Sequence, residues 1–227
     1  MIQLIPDMRE IAVENRAFLR RAVRYMCKSG IDQFIDIGSG LPSIDNTHEV
    51  AARLNPDAHI VYVDIDETAV AHGQEMLRGN DNAVCIRGSA LNVDAILDHP
   101  ETRKLINFER PVGVLILALL HFFTVEQGQE VLGKLTKSLP RGSYIGLSHA
   151  AADEHDPVAL GKMMDIYAKA QIPIYVRPIR EIDSIVNGFE QDNPGMVKGN
   201  EWRREEAEAG EPELPKIDSW YVGVLRV

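Results

Sequence analysis

The chain has 227 residues, 45% hydrophobic and 26% charged, enough for one sizeable core in an ordinary globular domain. Its net charge of −10 and the absence of a long basic run argue against a polyanion, so no nucleic-acid partner is expected. The longest apolar run, Val112 to Leu120, falls far short of the ~20 residues of a membrane span. The N-terminus MIQLIPDMRE lacks a signal-peptide pattern, so no membrane partner is expected either.

Residues 9–29 put Ile11, Phe18, Leu19, Ala22, Val23 and Met26 on one helical face. Arg20, Arg21 and Arg24 fall on what should be its wet side, and Gly30 ends it. An exposed helix of this kind could pair two chains, a possible homodimer. QFIDI is a short strand, and NTHEVAARL starts a helix with Asn46 as cap and Glu49 three residues on. HIVYVDI is a second strand, ETAVAHGQEML a helix, AVCIRG a third strand and VDAILDH a short helix. VGVLILALL is a fourth strand without polar alternation; VEQGQEVLGKLTKSL is a helix and SYIGLSHA a fifth strand. DPVALGKMMDIYAKA and IREIDSIVNGF read as helices, Gly199 to Lys216 as a charged loop, and SWYVGVLRV as a closing strand that completes the sheet through a hairpin. Continuously apolar strands alternating with helices predict an α/β fold with a mainly parallel sheet covered on both faces. The division expected is a single domain, 1–227: a helical segment 1–30, a cofactor-binding core 31–150, and sheet-completing elements 151–227. Cys27 and Cys85 have neither metal-ligand nor redox spacing, so no metal is expected and a reducing compartment, the cytoplasm, is.

Ligands of such sheets bind at the carboxyl ends of the strands, where strand order reverses. Asp36 with Gly38-Ser39-Gly40, Asp64 with Ile65, Gly88-Ser89-Ala90, and Ala118 to His121 all fall there. A dinucleotide fingerprint would need a third glycine where Ser43 stands. Asp36 would repel a pyrophosphate, and Pro42 removes an amide donor. A nucleoside carrying an ammonium has the opposite need. S-adenosylmethionine is such a ligand, with S-adenosylhomocysteine its product after methyl transfer. In that reading Gly38 and Gly40 admit the cofactor, Asp36 attracts its ammonium, and Asp64 accepts the ribose hydroxyls. Gly88, Ser89 and Ala90 flank adenine, Ala118 borders the methionine end, and Asn46, Thr47 and His48 begin the adjoining helix. Asp64 or Asp66 could instead simply cap the next helix.

The run ENRAFLRRAVRYMCKSGIDQFIDIGSGLPSIDNTHEVA, with VYVDID, LALLHFF, GSYIGLSHA, NPGMV before EWR, and the closing WYVGVLRV, resembles a bacterial family of S-adenosylmethionine-dependent methyltransferases over nearly the whole chain. The resemblance implies the class I methyltransferase fold, a Rossmann-like sheet of seven strands in order 3-2-1-4-5-7-6 with the last strand antiparallel. There are three departures. The family's Y-D-Y, L-G-G and D-R segment does not precede the first helix here, which implies a more open site, another lid or a shortened chain. Ser89 stands where the family has an acid. The fold's D-x-G-x-G-x-G pattern stops at Leu41-Pro42, as it does in the family.

Methyl transfer needs the acceptor held at ~3–3.5 Å from the methyl carbon and, for a hydroxyl or amine, a group to take its proton. His121 and His149, at the ends of strands four and five, are the candidate bases. The acceptor expected is a small molecule. The alternative is a non-catalytic protein that binds S-adenosylmethionine or S-adenosylhomocysteine, or a degenerate scaffold. A hydrolase built on GLSHA fails because no histidine beyond His155 exists to complete a triad.

Overall fold

The computed structural model of the protein describes residues 8–153, 155–207 and 219–227. Strand β1 (Gln33–Ile37) and strand β4 (Gly113–Ile116) are buried along their whole length, as apolar strands without alternation must be. Strands β2 (His59–Asp64), β3 (Ala83–Arg87) and β5 (Tyr144–Ala150) join them in parallel register, with Asp36 opposite Tyr62 on one side and Leu115 on the other. Strand β8 (Trp220–Arg226) runs antiparallel to β5, pairing Ser148 with Val222 and His149 with Tyr221. Two short strands, β6 (Glu190–Gln191) and β7 (Val197–Lys198), both pair with β8, giving the order β3-β2-β1-β4-β5-β8-β6.

This is the class I arrangement with one change: eight strands stand where seven were expected. β6 and β7 are one broken edge strand. Five residues separate Gln191 from Val197, but two separate their partners Leu225 and Val222, so the intervening loop bulges out.

One sheet face is covered by helices α1 (Met8–Lys28), α2 (Thr47–Ala52), α3 (Glu67–Met76) and α7 (Pro157–Lys169). The other carries α4 (Val93–Leu97), α6 (Val125–Ser138) and α8 (Ile179–Val186). The helix α5 (Pro100–Leu105) was not anticipated, although Pro100 at its first position follows a His99 ring that accepts from the Glu101 N–H.

The wet face expected on α1 is not wet. Arg21 and Arg24 are buried, because residues 199–207 fold back over them in two short 3-10 turns. Trp202, fully buried, meets Phe18 edge-on at 5.1 Å and Tyr25 at 5.9 Å. Arg21 donates to Glu14 (3.2 Å) and to the Gly199 carbonyl (2.7 Å), and Arg24 to the Glu206 carbonyl (2.6 Å). The first part of the expected charged loop is therefore packed structure, while its remainder, 208–216, lies outside the described residues. This cover takes up part of the α1 surface on which pairing of two chains was expected, while Ala12 and Val13 stay exposed. Among the described residues no helix is long and apolar enough to cross a membrane.

Candidate functional site

The chain leaves β1 through a turn that only glycine makes easily. Gly38 (φ +76°) and Gly40 (φ +66°) are left-handed, and the Gly38 and Ser39 amides donate back to the Val63 carbonyl at 2.8 and 3.2 Å. A Cβ on Gly38 would lie 2.8 Å from the Leu119 side chain, whereas one on Gly40 would meet nothing within 4 Å and project into open crevice. Asn46 ties down the far end of the turn. Its side chain accepts from the Ser43 amide (3.1 Å) and donates to the Ser43 carbonyl (2.7 Å), and its own amide donates to Glu49 (2.7 Å).

Asp64 ends β2 with its two carboxylate oxygens fixed separately. One accepts the Gly40 N–H at 2.7 Å and the other the Asp66 N–H at 2.9 Å. Asp66, not Asp64, caps α3, accepting from the Thr68 and Ala69 amides. Asp36 is buried and accepts the Thr47 hydroxyl at 2.6 Å. Burial pushes its pKa up to about 6, against the pull of that hydroxyl and of the Arg16 charge.

Three cavities meet at these strand ends. The first, about 60 Å³, holds Asp36, Gly38, Ser39, Gly40 and Asn46 together with Asn15 and Arg16 from α1. The second, about 540 Å³, holds Gly38, Gly40, Asp64, Ile65, Gly88, Ser89, Ala90 and Ala118. Its apolar walls include Leu91, Leu119 and Phe122, and it is closed by Ile172 and Pro173. The glycine turn borders both. The third, about 280 Å³ and mostly apolar, includes Asn15, Ala118, His121, Leu160, Met163, Tyr167, Ile174, Val176 and Trp220. Ala118, itself left-handed at φ +53°, lies between the second and third cavities, and Asn15 between the first and third.

Three of the expected residues lie outside the cavities. Thr47 lines none of the three, and its hydroxyl is spent on Asp36. His48 lines none of the three; its amide donates to the Tyr62 hydroxyl at 2.8 Å and its ring meets the same oxygen at 2.7 Å. His149 was expected to face the crevice. It is instead fully buried, with Nδ1 on the Ala150 carbonyl (2.8 Å) and Nε2 on the Arg177 guanidinium (3.0 Å). Both nitrogens are committed, and burial holds its pKa down near 4. His121 does line the third cavity, and its Nδ1 is buried without a partner among the described residues. Burial, reinforced by His149 and Arg177, lowers its pKa to about 3, so the ring is neutral. Ser148, the nucleophile of the rejected hydrolase reading, donates to Asn15 Oδ1 (2.7 Å) and accepts from the Ala118 amide (2.9 Å) inside a strand.

Sequence reasoning passed over Asn15, Arg16, Trp220 and Arg177. Asn15 Oδ1 accepts from both Ser148 and the Trp220 indole (3.0 Å), and the residue lines the first and third cavities. The available signal was a polar pair, Asn15-Arg16, inside an otherwise apolar helical stripe. Arg177 left none, since its partners are the His149 ring and the carbonyls of Leu120, Phe123 and Tyr175. No group of His, Cys, Asp and Glu among the described residues has metal-holding geometry.

A profile of the S-adenosyl methyltransferase family matches residues 1–227. Among solved structures, a "putative methyltransferase" from Thermobifida fusca YX is 34% identical, with TM-score 0.87, over 99% of this chain and 84% of that one. A DUF574 family protein from Streptomyces avermitilis MA-4680 is 29% identical, with TM-score 0.86, over 100% of this chain and 87% of that one. Human N-acetylserotonin methyltransferase, solved with S-adenosylmethionine, shares the fold at 13% identity and TM-score 0.53 over 91% of this chain and 51% of that one. No protein of curated function matches the chain.

Proposed function

The chain belongs to the S-adenosyl methyltransferase family, and from that premise we propose that it binds S-adenosylmethionine across the glycine turn and methylates a small molecule held beside His121. The observation that carries this reading is that Gly38 and Gly40 border two cavities of opposite character at once. A long ligand can lie over the turn with a different chemical group in each.

The residues fit that ligand. In the smaller cavity Asp36 suits an ammonium and Arg16 a carboxylate, the two charges of an amino-acid end. In the larger one each Asp64 oxygen already accepts one amide and keeps a lone pair for a ribose hydroxyl. Ile65 and Leu91 offer apolar faces for a base, with the Ser89 hydroxyl at its edge. When bound, the cofactor supplies a methyl group already activated by its sulfonium.

The chain's own residues do the rest. Asn15 and Ala118 stand where the cofactor cavities meet the third one, and the third cavity holds the acceptor in line. His121, neutral at ordinary pH, accepts a hydrogen bond from the acceptor. Its low basicity still suffices for a proton that becomes strongly acidic as the new bond forms. His149 and His48 hold the surrounding strand and helix and take no part. The free cysteines, Cys27 and Cys85, suit a reducing compartment such as the cytoplasm.

Isothermal calorimetry with S-adenosylmethionine, S-adenosylhomocysteine and NAD tests the reading. Micromolar binding of the first two and none of NAD is expected. NAD binding, or no binding of either sulfur nucleoside to folded protein, would overturn it.

A further inference from the structure

We propose that the third cavity takes a neutral, largely apolar, ring-bearing alcohol or phenol that is methylated on oxygen, an inference that rests on the methyl-transfer reading above. No Lys, Arg, Asp or Glu lines this cavity. Besides His121 the lining holds one more imidazole, the half-buried His155, and no fixed cation or anion, so a phosphorylated, carboxylated or amino-acid acceptor would be stripped of water there with no permanent counter-charge to meet it. An amine would enter as an ammonium and meet the same obstacle. The walls include the aliphatic Leu160, Met163, Ile174 and Val176 and the aromatic Tyr167 and Trp220, and the volume of about 280 Å³ lies at the small end for ligand pockets. One or two fused rings fill it.

The polar groups identify the reacting end. His121 is more than nine-tenths buried, and its Nδ1 has no hydrogen-bond partner among the described residues. As the ring stands this nitrogen is shut off from the cavity; leaving it unpaired is costly, and a turn of the ring that presents it to a guest hydroxyl would satisfy it. Asn15 also lines the cavity; its oxygen already accepts from Ser148 and Trp220, so what it has left to offer a guest oxygen is an N–H donor. A hydroxyl can donate to His121 and accept from Asn15 together; a methyl ether or a hydrocarbon cannot. In the reaction the acceptor oxygen bonds to the methyl carbon as that carbon's bond to sulfur breaks, the electron pair staying on sulfur. The hydroxyl proton passes to His121 and then to water.

The test uses 2-naphthol, with 2-methoxynaphthalene, 6-hydroxy-2-naphthoate and L-tyrosine as controls, titrated calorimetrically into protein saturated with S-adenosylhomocysteine. 2-Naphthol should bind, at least tenfold more tightly than any control. Ala12→Trp places a ring at the exposed edge of the cavity and should weaken 2-naphthol at least tenfold while leaving S-adenosylhomocysteine unchanged. Binding of S-adenosylhomocysteine without 2-naphthol, equal binding of the charged controls, or indifference to Ala12→Trp would each overturn the proposal. Failure of S-adenosylhomocysteine itself to bind would overturn the methyl-transfer reading, and this one with it.

Discussion

Gly40 and Asp64, 24 residues apart in sequence, are joined by a 2.7 Å hydrogen bond from the glycine amide to the carboxylate. The acid at the end of β2 is therefore tied to the turn at the end of β1, and the two border one cavity.

Replacing Asp64 with alanine should accordingly do two things. It removes a charged acceptor worth ~1.5–3 kcal/mol per hydrogen bond, so S-adenosylhomocysteine affinity should fall by about 10- to 100-fold in calorimetry. It also frees the Gly40 and Asp66 amides, so the urea midpoint should drop by the equivalent of about 1 kcal/mol. An affinity equal to that of the parent protein would exclude Asp64 from the site.

Asp36 sets stability against binding. Its folded pKa, about 6, lies above the ordinary 3.8, so the native state holds its proton more tightly than the unfolded chain does. The contribution to stability is largest below pH 3.8 and is lost as pH rises through 6, a cost of ~3 kcal/mol at neutrality. Asp36→Asn should therefore raise the urea midpoint at pH 7.5 while weakening S-adenosylmethionine at least tenfold. In the parent protein, affinity should climb between pH 5 and 7 as Asp36 ionises.

The histidines carry the opposite sign. His121 and His149 have folded pKa values of about 3 and about 4, below the ordinary 6.5. The unfolded chain takes up protons below pH 6.5 that the native state refuses, so their contribution is lost as pH falls from 6.5 toward 4. His121→Gln should lose less stability than the parent on moving from pH 7 to 5, as read by urea midpoints. It should also slow methyl transfer at least tenfold with S-adenosylhomocysteine affinity intact.

On α1, Glu14 and Arg21 are both buried, and the guanidinium also holds the Gly199 carbonyl. Burial raises the Glu14 pKa despite this partner. Arg21→Ala strands the carboxyl and should cost ~3–5 kcal/mol in urea unfolding. Glu14→Gln combined with Arg21→Met should cost clearly less, because no lone charge is left behind.

The parallel sheet was legible because its five strands are short apolar runs between helices with clear caps. Asp36, the glycine turn, Asp64 and Gly88 to Ala90 were legible as strand ends, since topology alone puts such residues at one edge of the sheet. Strands β6 and β7 were not, because two residues each, interrupted by a five-residue loop, carry no periodicity. The fourth strand looked longer than it is: Leu117 to Leu119 continue its apolar run, but the left-handed Ala118 turns them into the site wall. Arg21, Arg24 and His149 were misplaced for one reason. Each is buried by a segment remote in sequence, 199–207 or Arg177, and no local pattern reports such a cover.

The stretch from Ile172 to Arg177 borders two cavities. Ile172 and Pro173 wall the second cavity, and Ile174 and Val176 the third. It is pinned by the Tyr175 amide on the His121 carbonyl (2.6 Å) and by the Arg177 guanidinium. One strip of backbone is thus a common wall of two rooms. Any displacement of that strip would therefore change both cavities together.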